Sequence, residues 1–332
     1  MKKIVAILLV LLLTLPLLVG CADKSKDGKI SIACTVFPQY DWIKNVLGET
    51  ESIELSLIIQ NGADPHSYQP TAADILTITN CDMIVTLGGD SEQWVDEALE
   101  RAQSADIKKI ELSKIEGMTL HEISSSSHSH EEHEHEHEHE HEHEHEHGAF
   151  DEHLWLSIKN AITATEALTN EICKLDVAND ETYRENAESY IAKLCALDEK
   201  YASAVASVPE ESRFVLFADR FPFVYLLSDY GIEYQAAFDG CTTDVNADFD
   251  TVITLIKEAD THGVSYIAVT ESSDGALAAT VASSTQKKDI QIITLNSLQR
   301  INKTDVNNGA CYLDVMRDNL AALKRALGAK GE

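Results

Sequence analysis

Residues 180–208, DETYRENAESYIAKLCALDEKYASAVASV, decide how the rest of the chain is read. Tyr183, Ala187, Tyr190, Leu194, Leu197, Tyr201 and Val205 recur at steps of three and four, which is one face of a single long helix. Short apolar runs bounded by turn residues lie on both sides. Upstream, residues 29–35, 52–59, 83–87 and 109–112 read as buried strands, with helical spacing around 38–48, 71–80 and 91–103 between them. Downstream, strands near 213–217, 232–237, 265–271 and 290–295 alternate with helices near 246–260, 274–285 and 305–327. The pattern predicts an α/β fold of two parallel-sheet βα lobes. The long helix is either a stiff backbone joining them, which would restrict hinge opening, or an ordinary long domain helix.

The predicted organisation is a signal peptide over 1–20, a lipid-linked tether over 21–28, and an N-terminal lobe over 29–118. An acidic His-rich loop covers 119–149, and 150–179 holds a helix completing the first lobe. The linking helix covers 180–209 and the second lobe 210–332. Lys2 and Lys3 precede an apolar run from Ile4 to Val19 that is short for a membrane span and built like a secretory core. It ends Leu18-Val19-Gly20-Cys21, which resembles a bacterial lipobox, so Cys21 is the expected lipidation site and mature N-terminus. The location implied is extracytoplasmic, anchored to a bacterial membrane by lipid.

With 332 residues, 44% of them apolar, the chain can bury two modest cores. A formal net charge of −30 argues against nucleic acid as a partner, since duplex binding needs clustered Lys and Arg. Cys34, Cys81, Cys173, Cys195, Cys241 and Cys311 are scattered without a CxxC pair, which leaves a thiolate metal site unsupported. Phosphate loops and nucleophile elbows are absent from the sequence, and the HExxH spacing falls only within the acidic His-rich loop, so no enzymatic machinery is read.

Two features point to metal. After His128 and His130, Glu and His alternate through His133, His135, His137, His139, His141, His143, His145 and His147. That tract is too polar to bury, and its imidazoles and carboxylates can hold zinc, copper or nickel in many interchangeable ways. Single histidines also stand where strand-end loops present side chains. His66 lies in Gly62-Ala63-Asp64-Pro65-His66-Ser67-Tyr68-Gln69-Pro70, stiffened by two prolines, and Thr71 with Asp74 forms a capping box just beyond. His153 lies in Phe150-Asp151-Glu152-His153-Leu154-Trp155-Leu156. Trp42, Trp94 and Trp155 read as packing residues, and His121 and His262 as surface residues.

The Asp-Pro-His-Ser-Tyr-Gln-Pro and Glu-His-Leu-Trp-Leu runs resemble the first two ligand motifs of the zinc and manganese ABC-transporter solute-binding lipoproteins. The lipobox, paired lobes, long helix and acidic His-rich loop extend the resemblance over essentially the whole mature chain. It implies a monomeric receptor that binds Zn2+, with Mn2+ as the alternative cargo, and delivers it to an ABC permease and its ATPase. A zinc hydrolase and a metal-buffering or adhesive surface lipoprotein are the competing readings. The resemblance makes His66 and His153 metal ligands at a cleft between the lobes. It breaks at the third ligand: the family commonly carries Phe-His-Asp, whereas this chain has Phe217-Ala218-Asp219-Arg220-Phe221. Asp219 and Glu271 are the expected replacements, followed by Asn296. The alternatives are a salt bridge from Asp219 to Arg220 and a helix N-terminal role for Glu271.

Overall fold

A computed structural model describes residues 28–102, 106–123, 150–240 and 247–329. The readings of 1–20, of Cys21, of Cys241 and of the Glu-His repeat lie outside the described residues. In the first lobe, strands β1 (Ile30–Cys34), β2 (Ile53–Leu57), β3 (Met83–Thr86) and β4 (Lys108–Glu111) form a parallel sheet in the order β2-β1-β3-β4. Helices α1 (Phe37–Leu47), α2 (Ala72–Asn80) and α3 (Gln93–Glu100) connect them. The central strand β3 is buried throughout, while the edge strand β4 carries Lys108 and Lys109, charges that discourage pairing with another chain.

Helix α4 (Ile158–Leu175) completes this lobe and α5 (Asp180–Ala206) follows it. The buried face of α5 consists of Tyr183, Ala187, Tyr190, Leu194, Leu197, Tyr201 and Val205, the residues whose spacing predicted it. No Gly or Pro interrupts it, and Asp180 and Glu181 complement the dipole in its first turn. At 1.5 Å per residue its length is about 40 Å, enough to pass along both lobes. The second sheet repeats the first order as β6-β5-β7-β8, from β5 (Phe214–Phe221), β6 (Glu233–Asp239), β7 (Tyr266–Thr270) and β8 (Gln291–Leu295). Its helices are α6 (Val224–Ser228), α7 (Phe249–His262), α8 (Ala276–Ser284), α9 (Lys303–Asn307) and α10 (Tyr312–Leu327). The single helix expected over 305–327 is therefore two: Gly309, at φ 91°, turns the chain left-handed between them.

The lobes share one apolar core. A continuous cluster runs from Ile32 and Trp42 through Trp155, Tyr190 and Tyr201 to Tyr312 and Leu323, and a smaller one lies under α7 and α8. Among the described residues, Cys34, Cys173, Cys195 and Cys311 are free thiols, and no helix is long and apolar enough to cross a membrane.

Asp41 of α1 is a buried charge at the junction of the lobes. Its Oδ2 accepts the Tyr312 N–H at the start of α10 (3.1 Å) and the Tyr190 hydroxyl of α5 (3.4 Å). Burial pushes its carboxyl up to about 6, against the Tyr312 N–H, the Lys44 ammonium and the Tyr190 hydroxyl, while Asp314 adds to the rise. The folded-state value exceeds that of the unfolded chain, so the folded protein holds the proton more tightly. The stabilisation this provides is complete below about pH 4 and is lost as pH climbs through the folded-state value. Asp41→Asn keeps an acceptor for Tyr312 but cannot ionise. Its stability relative to wild type, read from urea midpoints, is expected to rise by on the order of 3 kcal/mol between pH 4 and pH 7. Parallel pH profiles for the two proteins would show that Asp41 does not titrate with folding.

Candidate metal centre

His66 sits in a one-turn helix, Pro65–Ser67, beyond the carboxyl end of β2. The Asp64 carboxylate caps that turn by accepting the His66 N–H at 3.1 Å, and Pro65 fixes the first helical φ. Behind the loop, Thr71 opens α2 with the expected capping box to Asp74, whose carboxylate also accepts the Tyr68 hydroxyl at 2.7 Å. The approach angle of the His66 ring is thus set by local hydrogen bonds.

His153 is held differently, by burial and a carboxylate. It is 1% exposed and precedes a turn, Leu154–Leu156, whose three side chains are all buried. Asp151 Oδ1 accepts both the backbone N–H (2.9 Å) and the ring Nδ1–H (2.8 Å) of His153. Burial pushes the Asp151 carboxyl up, but the pull of the His153 and His66 rings when protonated and the hydrogen bonds from His153 outweigh it and leave the group below the usual range. With Nδ1 donating to a carboxylate, the neutral ring presents the Nε2 lone pair, the tautomer that a metal requires.

The two rings meet at those atoms. Nε2 of His66 and Nε2 of His153 lie 3.0 Å apart, with ring centroids 4.9 Å apart. Two imidazoles bound to one tetrahedral zinc at 2.0–2.1 Å would place their nitrogens about 3.3 Å apart, so a shift of a few tenths of an ångström admits the ion. Glu152 Oε2 lies 3.9 Å from His66 Nδ1, on the side that a hydrogen on that nitrogen would face when Nε2 is ligated. The Glu152 carboxylate is itself fixed by the Ser91 N–H at 3.0 Å and the Ser91 hydroxyl. It folds so closely over Gly89 that a Cβ there would stand 2.3 Å from it, which accounts for that glycine. Nearby, burial pushes the Glu92 carboxyl up to about 7 despite contacts from Thr35, Gly88 and Leu87, with Glu152 adding to the rise.

The second-lobe residues are arranged otherwise than expected. The register of β5 against β6 shifts between Phe217 and Arg220, and this irregularity re-aims the side chains. Ala218, where the resembled family has His, is 1% exposed and packs in the core under α7 and α8 rather than facing the cleft. The Asp219 carboxylate accepts the Thr270 N–H (2.9 Å), the Thr270 hydroxyl (2.6 Å) and the Arg220 N–H (2.8 Å). Arg220 does not pair with Asp219; its guanidinium crosses to Asp64 of the first lobe at 3.1 Å and reaches Ser272 at 3.2 Å. The Glu271 carboxylate accepts the Ser297 N–H (2.8 Å) and hydroxyl (2.7 Å), so it caps the turn after β8 rather than the helix that follows it in sequence. Asn296 accepts the Leu298 N–H at 2.8 Å. Among the described residues no three His, Cys, Asp or Glu side chains gather in a metal-holding group.

Instead, Gln299 reaches His153 Nε2 from the second lobe. Sequence reasoning passed over it because glutamine in a loop carries no metal signal. Of the two histidines read as surface residues, His262 stacks on Phe214, and His121 lies at the foot of the acidic loop. There Glu122 bridges Phe150, and the Tyr225 hydroxyl joins both strands by accepting the His121 N–H (3.1 Å) and donating to the Asp151 carbonyl (2.6 Å). The acidic loop is therefore rooted beside His153.

A Streptococcus pneumoniae serotype 4 protein described as the zinc-binding lipoprotein AdcA is 33% identical over all of this chain, which spans 62% of that relative's length. The high-affinity zinc uptake system protein ZnuA of Bacillus subtilis is 32% identical over 94% of this chain and 91% of its own. The solved Zn(II)-bound ZnuA-like domain of Streptococcus pneumoniae AdcA matches with a TM-score of 0.69 at 26% identity, over 90% of this chain and 99% of that one. With residues 32–326 matching the family model for the zinc-uptake complex component A, periplasmic, the chain belongs to the ZnuA family.

Proposed function

We propose that this chain is an extracytoplasmic receptor that captures Zn2+ between its lobes and delivers it to an ABC permease with its ATPase, without a catalytic step. The observation that carries this reading is the meeting of His66 Nε2 and His153 Nε2 at 3.0 Å, with the other nitrogen of His153 bonded to Asp151. Two neutral imidazoles favour zinc over manganese, which prefers oxygen donors. The names of the streptococcal and Bacillus relatives support zinc as the cargo. The Glu-His tract, rooted at Glu122 and Phe150, raises the local concentration of cations beside the cleft. Acylation at Cys21 would keep the receptor at the membrane, as the lipoprotein description of the streptococcal relative supports.

Ligation follows from the tautomers. His153 offers its Nε2 lone pair as it stands, while His66 Nε2 gives up the hydrogen it shares with His153 and takes a proton at Nδ1, toward Glu152. The ring stays neutral and no net proton need be released. Replacing either His66 or His153 with Ala removes one of two nitrogen donors and is expected to weaken zinc binding at least 100-fold, about 2.8 kcal/mol. Competition against a chelator, on a background lacking residues 124–147, measures this. Unchanged affinity there would place the receptor site elsewhere.

The same deletion tests the tract. The described residues that flank it, Glu122 and Phe150, pair in a bridge, so a deletion closed between them leaves the cleft in place. Calorimetry is expected to show fewer zinc ions bound per chain but one tight site retained; loss of that site would make the tract the receptor. For the anchor, Cys21→Ala should move the protein from the membrane fraction to the soluble one. A wild-type protein whose intact mass lacks an acyl group would refute lipidation.

A further inference from the structure

The loop that carries His66 is tied to the second lobe by contacts of two kinds. At its root the ties are backbone: Asn61 forms an antiparallel bridge with Asn302, and the Gln60 carbonyl accepts the Lys303 N–H at 2.8 Å. Gly62 follows at φ 71°, where a Cβ would stand 3.2 Å from the Arg300 carbonyl oxygen, so glycine suits the turn on both counts. Nearer the tip the tie is an ion pair between side chains, Asp64 with Arg220.

Arg220 is aimed across the cleft by the register shift in β5, and its guanidinium forks. One terminal nitrogen donates to Asp64 Oδ2 at 3.1 Å and the other to Ser272 Oγ at 3.2 Å. Ser272 Oγ lies 3.2 Å from the hydroxyl of Thr270, which donates to Asp219, and Asp219 accepts the Arg220 N–H. The arginine is thus fixed at both ends to its own lobe while its planar head reaches the other. Asp64 divides in the same way: Oδ2 takes the guanidinium and Oδ1 the His66 N–H. A line of hydrogen bonds therefore runs from the second lobe to the backbone of the ligand. With side chains 16% and 11% exposed, the pair is screened less than one on the open surface.

Arg220 acts on a cation at His66 in two ways of opposite sign. Its charge repels the ion, which would speed release. Its bond to Asp64 holds the ligand turn against the second lobe, which would slow release. Asp64 and Arg220 together carry no net charge, so their fields largely cancel at the ion and the tie is what remains.

We propose that the Arg220–Asp64 pair is the latch of the receptor: closed, it keeps His66 facing His153 and sets how long the ion stays; open, it lets the loop turn about its root near Gly62 and free the ion. Arg220 acts through Asp64, as a positioning residue. This rests on the reading of His66 and His153 as the receptor site.

The test uses the full chain, so that the tract contributes equally to every protein compared. Zinc release into excess chelator is timed by stopped flow for wild type, Arg220→Ala, Asp64→Asn, the double variant and His66→Ala. The phase missing from His66→Ala belongs to the cleft ion. In Arg220→Ala that phase is expected to run about tenfold faster, as for an ion pair between the exposed and the buried kind. Asp64→Asn keeps an oxygen for the His66 N–H and should speed release by a similar factor, and the double variant should be no faster than either single one. The visible bands of the Co2+-loaded protein, taken as the difference from His66→Ala, should be the same in Arg220→Ala as in wild type, because the ligands are unaltered. Slower release from Arg220→Ala would overturn the latch, since the arginine would then act by its charge alone. Unchanged release, additive effects in the double variant or altered Co2+ bands would overturn it too. If Arg220→Ala does not fold, Arg220→Gln decides by the same sign. If His66→Ala lacks no phase, the receptor reading itself fails, whereas a cleft phase that Arg220→Ala leaves unmoved sinks only this inference.

Discussion

The hydrogen bond from the Trp155 indole to the Ser297 carbonyl joins the two halves of the metal centre. Trp155 is two residues from His153, and Ser297 two from Gln299. An indole N–H buried without a partner is costly, so this bond and the packing around it fix the distance between the lobes at the site. Tyr312 reinforces it by donating its hydroxyl to the Trp155 carbonyl at 2.7 Å while its own N–H binds Asp41, and its ring meets Trp42 edge-on at 5.5 Å. These directed bonds, set among buried rings, help fix the register between lobes.

A core shared by both lobes limits how far they can part. Opening them widely would expose the faces of Trp42, Trp155 and Tyr312, large rings whose burial dominates the local energetics. Small rearrangements at the cleft remain available: tautomer exchange at His66, rotation of an amide, and sliding of the Arg220–Asp64 pair, which is partly exposed. That ion pair spans the cleft beside the His66 loop, and Asp64 serves both it and the cap of the ligand turn. Movement of Arg220 would therefore be felt at His66 through one carboxylate.

Local pattern carried much of this in the sequence. The face of α5 was legible because a 3.6-residue period needs no information from elsewhere in the chain, and the strands because parallel sheets bury continuous apolar runs. His66 was visible because two prolines and a capping box mark a rigid strand-end loop, and His153 because its motif has a recognisable neighbourhood. The break between α9 and α10 was missed although Gly309 was in plain view, since glycine within a helical pattern is a weak signal until the turn around it is known.

The sequence alone determined two βα lobes and the helix along them, because composition and short-range spacing dictate those, and it singled out His66 and His153 by their strand-end loops and by the resemblance of their motifs to known ligand motifs. Tertiary structure decided which polar groups meet at the histidine pair. The irregularity in β5 sends Ala218 into the core, Asp219 to Thr270 and Arg220 across the cleft, and no property of those residue types foretells it. Gln299 meets His153 across 146 positions of sequence, by way of a left-handed Leu298 held by Asn296, Asn319 and Glu271. A contact made by so many partners from separate segments exists only once the chain has folded.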